Sequence, residues 1–403
     1  MTKNIPYWSS KNKDIQLIAE SLVNGILSGS DANSLIQKEG ISWQKVAPHV
    51  AEDESWWLDQ ARPKRKPVSL NWKIMGRDST ISIEVADYHI LVDPGPSSPI
   101  PETCPDLILI THAHHDHNGG LDTVVSKYPD CLVVMSGITA EFMKMRGIYN
   151  YAQSLKLMNP NEATELRGIN IRTHRAGHLL GAVMFEIEIQ GETALVTGDF
   201  AVRKVGDCPG FDFPSIDCSI LILATDSAGR GSFPFADLKV NHEQFLEELY
   251  DFGKDKIYVP VQSLGQAQEA YTAIALWQRA GGIPEGWSSE KFEVFFDENL
   301  INVTRIYEHE LVNQGGIWLE NTPILRGMQP KNSIVVASEK PSPDAAGYTL
   351  NTSKIFTHAS WGECMALATW VSCPQIYTYH GSSNSLNFAL DKMGFIMSFP
   401  NKE

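Results

Sequence analysis

The stretch Thr111–Gly120 reads THAHHDHNGG and places four of the chain's twelve histidines, together with Asp116, within His112–His117. Imidazole nitrogen and carboxylate oxygen are the usual nitrogen and oxygen ligands of zinc, three or four protein groups per ion. His112 and His114, two positions apart, can hold one ion from one side of a turning segment. Asp116 and His117, just beyond, can hold a second, while Gly119 and Gly120 let the backbone fold back tightly. His115 falls between the pairs and reads as an outer or exposed residue. The plain alternative is a solvated polar loop, but ligand types at this density directly after an apolar run favour a site.

Two ions need further ligands. Ala176-Gly177-His178, Thr197-Gly198-Asp199-Phe200 and Tyr379-His380-Gly381 offer them, and the two oxygens of Asp199 could serve both ions. His174 reads as an ordinary structural histidine, the commoner fate of a lone imidazole.

These residues must be positioned by strands. Leu107-Ile108-Leu109-Ile110 is a short continuous apolar strand that delivers the histidine cluster at its end. Residues 79–85 alternate polar and apolar, as a half-buried strand does. His89–Val92 ends at the turn signal Asp93-Pro94-Gly95. Further strands are expected at Leu132–Met135, Ala182–Gln190, Ala194–Val196 and Ile220–Leu223. From about residue 227 the pattern shifts. Glu243–Phe252 is helical in pattern, and strand Lys256–Pro260 is followed by a helix over Gln266–Arg279, the order of a small parallel α/β unit. Short strands near Ile355 and Ile376 and helices from about Gly362 and Ser383 follow. The first 70 residues stand apart. Ile15, Ile18, Leu22 and Ile26 suggest an amphipathic helix, Ser30, Asp31 and Asn33 a second helix start, and Arg62–Lys66 is a basic run that reads as a linker or a phosphate-contacting strip.

Composition narrows the class. The chain has 403 residues, 43% hydrophobic and 20% charged, the balance of a globular protein of more than one domain. No apolar run reaches the roughly eighteen residues of a membrane span, and the N-terminus lacks the apolar core of a secretory signal, so no membrane association and a cytoplasmic location are expected. A net charge of −15 argues against non-specific coating of nucleic acid, which needs Lys and Arg. It leaves room for a cationic cleft made by bound metal ions. Cys104, Cys131, Cys208, Cys218, Cys364 and Cys373 form no CxxC pair and read as scattered reduced thiols.

Together the HxHxDH run, RAGHLLGAVMFEIE and TALVTGDF resemble the metallo-β-lactamase fold, and more closely its nucleic-acid-processing branch, the β-CASP nucleases, which include ribonuclease J, the cleavage-and-polyadenylation endonuclease and the Artemis-type nucleases. YVPVQSLGQAQE, starting at Tyr258, resembles that branch's strand-loop-helix with its GxAQE element. Phe356-Thr357-His358 and Tyr379-His380-Gly381 match its two late histidines. The resemblance runs from about residue 70 to the C-terminus.

It implies an α/β fold, a metallo-β-lactamase αββα sandwich with an inserted, trimmed β-CASP α/β domain and a helical N-terminal extension. Its bounds would be an accessory segment at 1–69, the sandwich at 70–226 and 351–403, and the insertion at 227–350. It implies that His112, His114 and His178 bind one zinc ion and Asp116, His117 and His380 a second, with Asp199 bridging, and with manganese as the alternative metal. Asp93 would support the metal loop and His358 would be the general acid. The implied activity is hydrolysis of phosphodiester bonds, foremost in single-stranded RNA, by a two-metal-activated hydroxide that leaves a 5′-phosphate and a 3′-hydroxyl. His380 favours RNA, since DNA-acting members often carry valine there.

The chain departs from the family in four places. Ala224 stands where an acidic residue usually supports the general acid, with Asp226 two residues on as its substitute. Gln266 replaces the arginine of GRAQE. The ASPG stretch becomes Ala337-Ser338-Glu339-Lys340, and Phe356 follows it closely where the family spends many more residues. A divergent substrate is therefore also weighed: a small phosphodiester, a short oligonucleotide, another ester, or DNA. An inactive scaffold is disfavoured because no ligand is missing. The N-terminal segment could mediate self-association or bind a protein partner.

Overall fold

The computed structural model describes residues 68–148, 154–202, 210–226 and 245–250 and, with short interruptions, most of 256–398. The expected N-terminal helices, the basic run at Arg62–Lys66, the strand near Ile355, and Glu339 and Lys340 lie outside the described residues. Two compact units are present, the first comprising Met1–Lys204, Gly210–Phe235 and His358–Glu403, the second Val205–Pro209 and Ala236–Thr357. The second is therefore inserted in the chain of the first.

The first unit is built on two mixed sheets. One runs β1 (Lys73–Arg77), β2 (Thr80–Val85), β3 (Tyr88–Val92), β4 (Leu107–Leu109), β5 (Leu132–Met135) and β6 (Leu155–Leu157) in sequential order. Its first three strands are antiparallel and β3 to β6 are parallel. The other has the order β17 (Ile396–Ser398), β16 (Gln375–Tyr379), β11 (Ile220–Ala224), β10 (Glu192–Val196), β9 (Val183–Ile189), β8 (Ile169–Arg175) and β7 (Ala163–Leu166). Here β10, β11, β16 and β17 are parallel, with Ile222 opposite both Val196 and Tyr377, while β7 to β10 form an antiparallel meander. Two antiparallel steps make β8 run the same way as β10.

The period of two in TISIEV puts Ile81, Ile83 and Val85 on one face, and all three are buried against a cluster that includes Ile171, Phe185, Ile187 and Ile222 of the other sheet. Burying each such side chain contributes about 1.5–3 kcal/mol, so this interlayer holds the sandwich together. The run ILILA of β11 is buried at every position. Ile220 and Ile222 join the interlayer, and the opposite face is covered by the helix Trp361–Val371, whose Cys364 thiol donates to the Ala224 carbonyl. Helices Leu121–Lys127 and Gly137–Met145 follow β4 and β5 and bury Leu121, Val124, Phe142 and Met143. Sheets inside and helices outside make the αββα arrangement.

Strands β1, β6, β7, β8 and β17 were not expected. Strand β8, INIRTHR, alternates buried and exposed along most of its length, but its polar positions hide the pattern. Ser69, Leu70 and Trp72 lead into β1. Ser69 Oγ, the Leu70 N–H and Trp72 Nε1 donate to the Glu192 carboxylate at 2.6, 3.0 and 2.9 Å.

The second unit holds a parallel sheet in the order β13 (Glu293–Phe296), β14 (Ser333–Ala337), β12 (Lys256–Pro260) and β15 (Tyr348–Thr349). The helix Gln266–Arg279 lies where the sequence places it, and Ile301–Asn313 is a second helix. Ile257, Val259, Tyr271, Ile274, Phe296 and Ile334 share its core.

Candidate metal centre

The expected ligands follow the C-terminal ends of strands that point the same way within each sheet, the end at which open α/β sheets bind ligands. Asp93 follows β3, His112–His117 follow β4, His178 follows β8, Asp199 follows β10, Asp226 follows β11 and His380 follows β16.

Three ligand groups result. His112, His114, His178 and Asp199 each offer one ligand atom within 4.8 Å of the others; so do Asp116, His117 and His380, and so do Asp93, His112 and His117. In the first, His114 Nδ1 stands 3.1 Å from His112 Nε2 and 3.2 Å from His178 Nε2. In the second, Asp116 Oδ2 stands 3.7 Å from both His117 Nε2 and His380 Nε2. Asp199 faces both. Its Oδ2 lies 3.8 Å from His112 Nε2, 3.9 Å from His178 Nε2 and 3.3 Å from His117 Nε2, and its Oδ1 lies 3.8 Å from His380 Nε2.

Asp93 is turned away from this convergence and orients it. It accepts from Thr111 N at 2.8 Å and Thr111 Oγ1 at 2.6 Å, and its Oδ2 is 2.8 Å from His117 Nδ1. A proton on Nδ1 leaves the lone pair of Nε2 facing Asp199 and Asp116, the arrangement by which an outer carboxylate fixes a ligand tautomer. Asn118 Nδ2 donates to the His114 carbonyl at 2.6 Å, Arg146 donates to the Ala113 carbonyl and Ser79 Oγ to the Asp116 carbonyl. Thr111, Asn118, Arg146 and Ser79 were not singled out from sequence. Thr111 and Asn118 adjoin the cluster, which is a local signal; Arg146 and Ser79 act through tertiary contacts.

Close backbone approach is required twice. Gly198 has φ +56°, and a Cβ there would meet Thr111 Cβ at 2.5 Å, so only glycine brings Asp199 against the end of β4. Gly120 serves differently from the tight reversal expected of it: its backbone is ordinary right-handed, φ −93°, and a Cβ would strike the Gly95 carbonyl at 2.2 Å. Asp93 and His380 hold φ +50° and +52°, a costly conformation for non-glycine residues that clusters at functional sites.

His358 lies beside the first group, its ring 4.6 Å from that of His178. Its Nε2 is 3.1 Å from Asp199 Oδ2 and its Nδ1 is 3.8 Å from Asp226 Oδ2. Ala224 is buried in β11, so Asp226 faces the imidazole from the following loop. His115 is exposed, and His174 pairs with Glu186 at 2.7 Å on the second sheet, away from the ligand groups.

Electrostatics bind the cluster together. Burial works against protonation of His117, but Asp199 and Asp93 outweigh it and hold its pKa well above the ordinary value, so a metal ion at Nε2 would displace a proton there. Burial and the neighbouring imidazoles of His117, His178 and His114 push His112 well below it. Burial opposes ionisation of Asp199, yet His117 and His358 hold that carboxyl well below the usual range. His358 is desolvated too, and Asp199 and then Asp226 raise its pKa.

Two buried atoms, His117 Nε2 and Asp199 Oδ1, have no hydrogen-bond partner among the described residues. Buried polar atoms are seldom left so, and both point into the convergence. Imidazole nitrogens with carboxylate oxygens are a donor set for a divalent metal ion, and the residues fit one.

Residues 78–249 match the metallo-beta-lactamase superfamily model. That stretch of the chain is similar to the metallo-beta-lactamase superfamily. The chain is similar to an RNase J-like protein of Methanocaldococcus jannaschii, 24% identical over 57% of this chain and 57% of that protein. It is also similar to cleavage and polyadenylation specificity factor subunit 3 of Dictyostelium discoideum, 25% identical over 41% of this chain and 24% of that protein, and to endoribonuclease YSH1 of Saccharomyces cerevisiae, 23% identical over 41% and 25%. These relatives bear out the resemblance to the β-CASP nucleases. The matched regions span little more than half of the archaeal relative and about a quarter of the two eukaryotic ones. A solved structure of a protein of unknown function from Enterococcus faecalis V583 shares the fold, with a TM-score of 0.50, 11% identity, and 83% of this chain and 99% of that one covered.

Proposed function

We propose that this protein is a zinc-dependent nuclease that hydrolyses phosphodiester bonds, foremost in single-stranded RNA. The observation that carries the reading is Asp199 between two ligand groups, His112/His114/His178 and Asp116/His117/His380. The substrate class is that of the RNase J-like and endoribonuclease relatives.

When bound there, a pair of divalent ions supplies a lowered water pKa and neutralisation of charge on the phosphate's non-bridging oxygens. The chain's residues do the rest. Asp93 and Thr111 keep His117 in one tautomer. Asp199, held ionised, is the carboxylate common to both groups. His358 carries a proton on Nε2, with Asp226 facing Nδ1 as the acidic partner that Ala224 does not supply, and acts as general acid toward the leaving 3′-oxygen. The products are a 5′-phosphate and a 3′-hydroxyl. The inserted second unit takes the place of the β-CASP domain in this reading.

The test is cleavage of 5′-labelled single-stranded RNA and the matching DNA by zinc-loaded protein, beside the double variant Asp116→Ala, His117→Ala. Metal-dependent cleavage of RNA that the variant lacks is the expected result. Inertness toward both polymers in protein carrying its metal would overturn the reading and bring small phosphodiesters forward.

A further inference from the structure

Away from the metal centre, two of the scattered thiols are brought together. Cys104 leads into β4 and Cys131 into β5, and the parallel register setting Leu107 opposite Leu132 places their Sγ atoms 2.7 Å apart. A disulfide needs about 2.05 Å, within reach of small side-chain rotations. Both thiols face the Pro105 carbonyl, at 3.4 and 3.3 Å. Arg167 ties the two strand entrances by donating to the Asp106 carbonyl at 3.1 Å and the Asp130 carbonyl at 2.8 Å. We propose that Cys104 and Cys131 are a redox-modification site that closes to a disulfide on reaction with low-molecular-mass disulfides of the oxidised-glutathione class.

Exposure sets the order of steps. Cys104 is exposed and Cys131 buried. Cys104 loses its proton to solvent and its thiolate attacks one sulfur of the small disulfide; the Cys104–glutathione bond forms and one glutathione thiolate leaves. Cys131 Sγ, giving up its proton, then attacks Cys104 Sγ, and the second glutathione thiolate leaves. Two protein thiols are oxidised and one small disulfide is reduced to two thiols. Burial and the Cys104 thiol push the Cys131 thiol up, which keeps it from starting the exchange, while the Arg167 cation favours its thiolate. Cys218 and Cys373 also interact, but both are buried and present no exposed sulfur to an incoming disulfide.

The location gives the modification its consequence. The segment 104–131 contains His112, His114, Asp116 and His117, so the bond would close a covalent ring around the metal loop. It would do so from the N-terminal ends of β4 and β5, whereas the ligands follow their C-terminal ends. The disulfide is thus a clasp beneath the loop and leaves the ligand atoms untouched.

The full chain, equilibrated with oxidised and reduced glutathione, quenched with acid, alkylated and mapped without reduction, tests this. The expected result is a Cys104–Cys131 cross-linked peptide two hydrogens lighter than the sum of its reduced parts, lost on treatment with dithiothreitol. Cys104→Ser, at an exposed position that folding tolerates, should abolish it and leave Cys218 and Cys373 as recoverable thiols. Recovery of both Cys104 and Cys131 as free thiols under oxidised glutathione, or of Cys104 only as the glutathione adduct, would overturn the proposal.

Discussion

Asp199 Oδ2 lies 3.1 Å from His358 Nε2 across 159 positions of sequence. The same carboxylate faces both ligand groups, so one side chain joins the expected acid to the whole metal centre. Asp199→Asn keeps the shape and removes the charge. Outer partners of metal ligands are worth 10–100-fold in affinity or activity, and a shared ligand should exceed that. We expect a loss of at least about 100-fold in kcat/KM on labelled RNA, with metal content falling at both positions. A variant that keeps both its metal and its rate would remove Asp199 from the centre.

Asp226 faces His358 Nδ1 at 3.8 Å. Asp226→Asn should lower kcat by about 10-fold, at the modest end for an orienting partner, with KM and metal content unchanged. Steady-state kinetics beside metal analysis decide it. Lost metal would make Asp226 part of the centre, and an unchanged kcat would leave His358 without this support.

Gly198 lets β10 close on Thr111. In Gly198→Ala the positive φ and the 2.5 Å approach to Thr111 Cβ should cost roughly 1–3 kcal/mol of stability and displace Asp199. Thermal denaturation and metal content should both fall. A variant as stable and as metal-rich as the parent would show that the approach is not required.

Much of this was legible before any coordinates. The apolar run Leu107–Ile110 announced a buried strand, and ligand-type residues at its end announced a site, because buried strands do not end in four histidines by composition alone. His178, Asp199 and His380 stood out as ligand types at other strand ends, but their division between two ions and the role of His358 rested on the family resemblance. Spacing alone could not show that β8 and β10 run the same way, which needs the antiparallel meander between them. Thr111 escaped notice because its partner Asp93 follows the neighbouring strand, and Asn118 because its partner is set by the turn geometry. The Cys104–Cys131 approach escaped because it depends on β4 pairing with β5 across the whole metal loop. Strand β8 was missed because Thr173 and Arg175 put polar residues at the positions that continue the face of Ile169 and Ile171.

Glu192 anchors the segment that leads into β1. Burial opposes its ionisation, but hydrogen bonds from Ser69, Trp72 and Leu70 prevail and lower its pKa from the ordinary 4.5. A depressed carboxyl stabilises the fold above its unfolded value and loses that contribution as pH falls through the folded one. Glu192→Gln should therefore cost roughly 1.5–3 kcal/mol near neutral pH, the scale of a hydrogen bond to a charged group. The gap between the two proteins should narrow as pH drops below 4.5. Urea denaturation at neutral and acidic pH measures both, and a gap that widens on acidification would reverse the sign.

Two ligand groups share Asp199. Metal content per chain, measured on zinc-equilibrated protein after removal of free metal, tests it most directly. About two ions are expected in the parent and about one in the double variant Asp116→Ala, His117→Ala, which keeps the His112, His114 and His178 group. A single ion in the parent, or equal content in parent and variant, would contradict it.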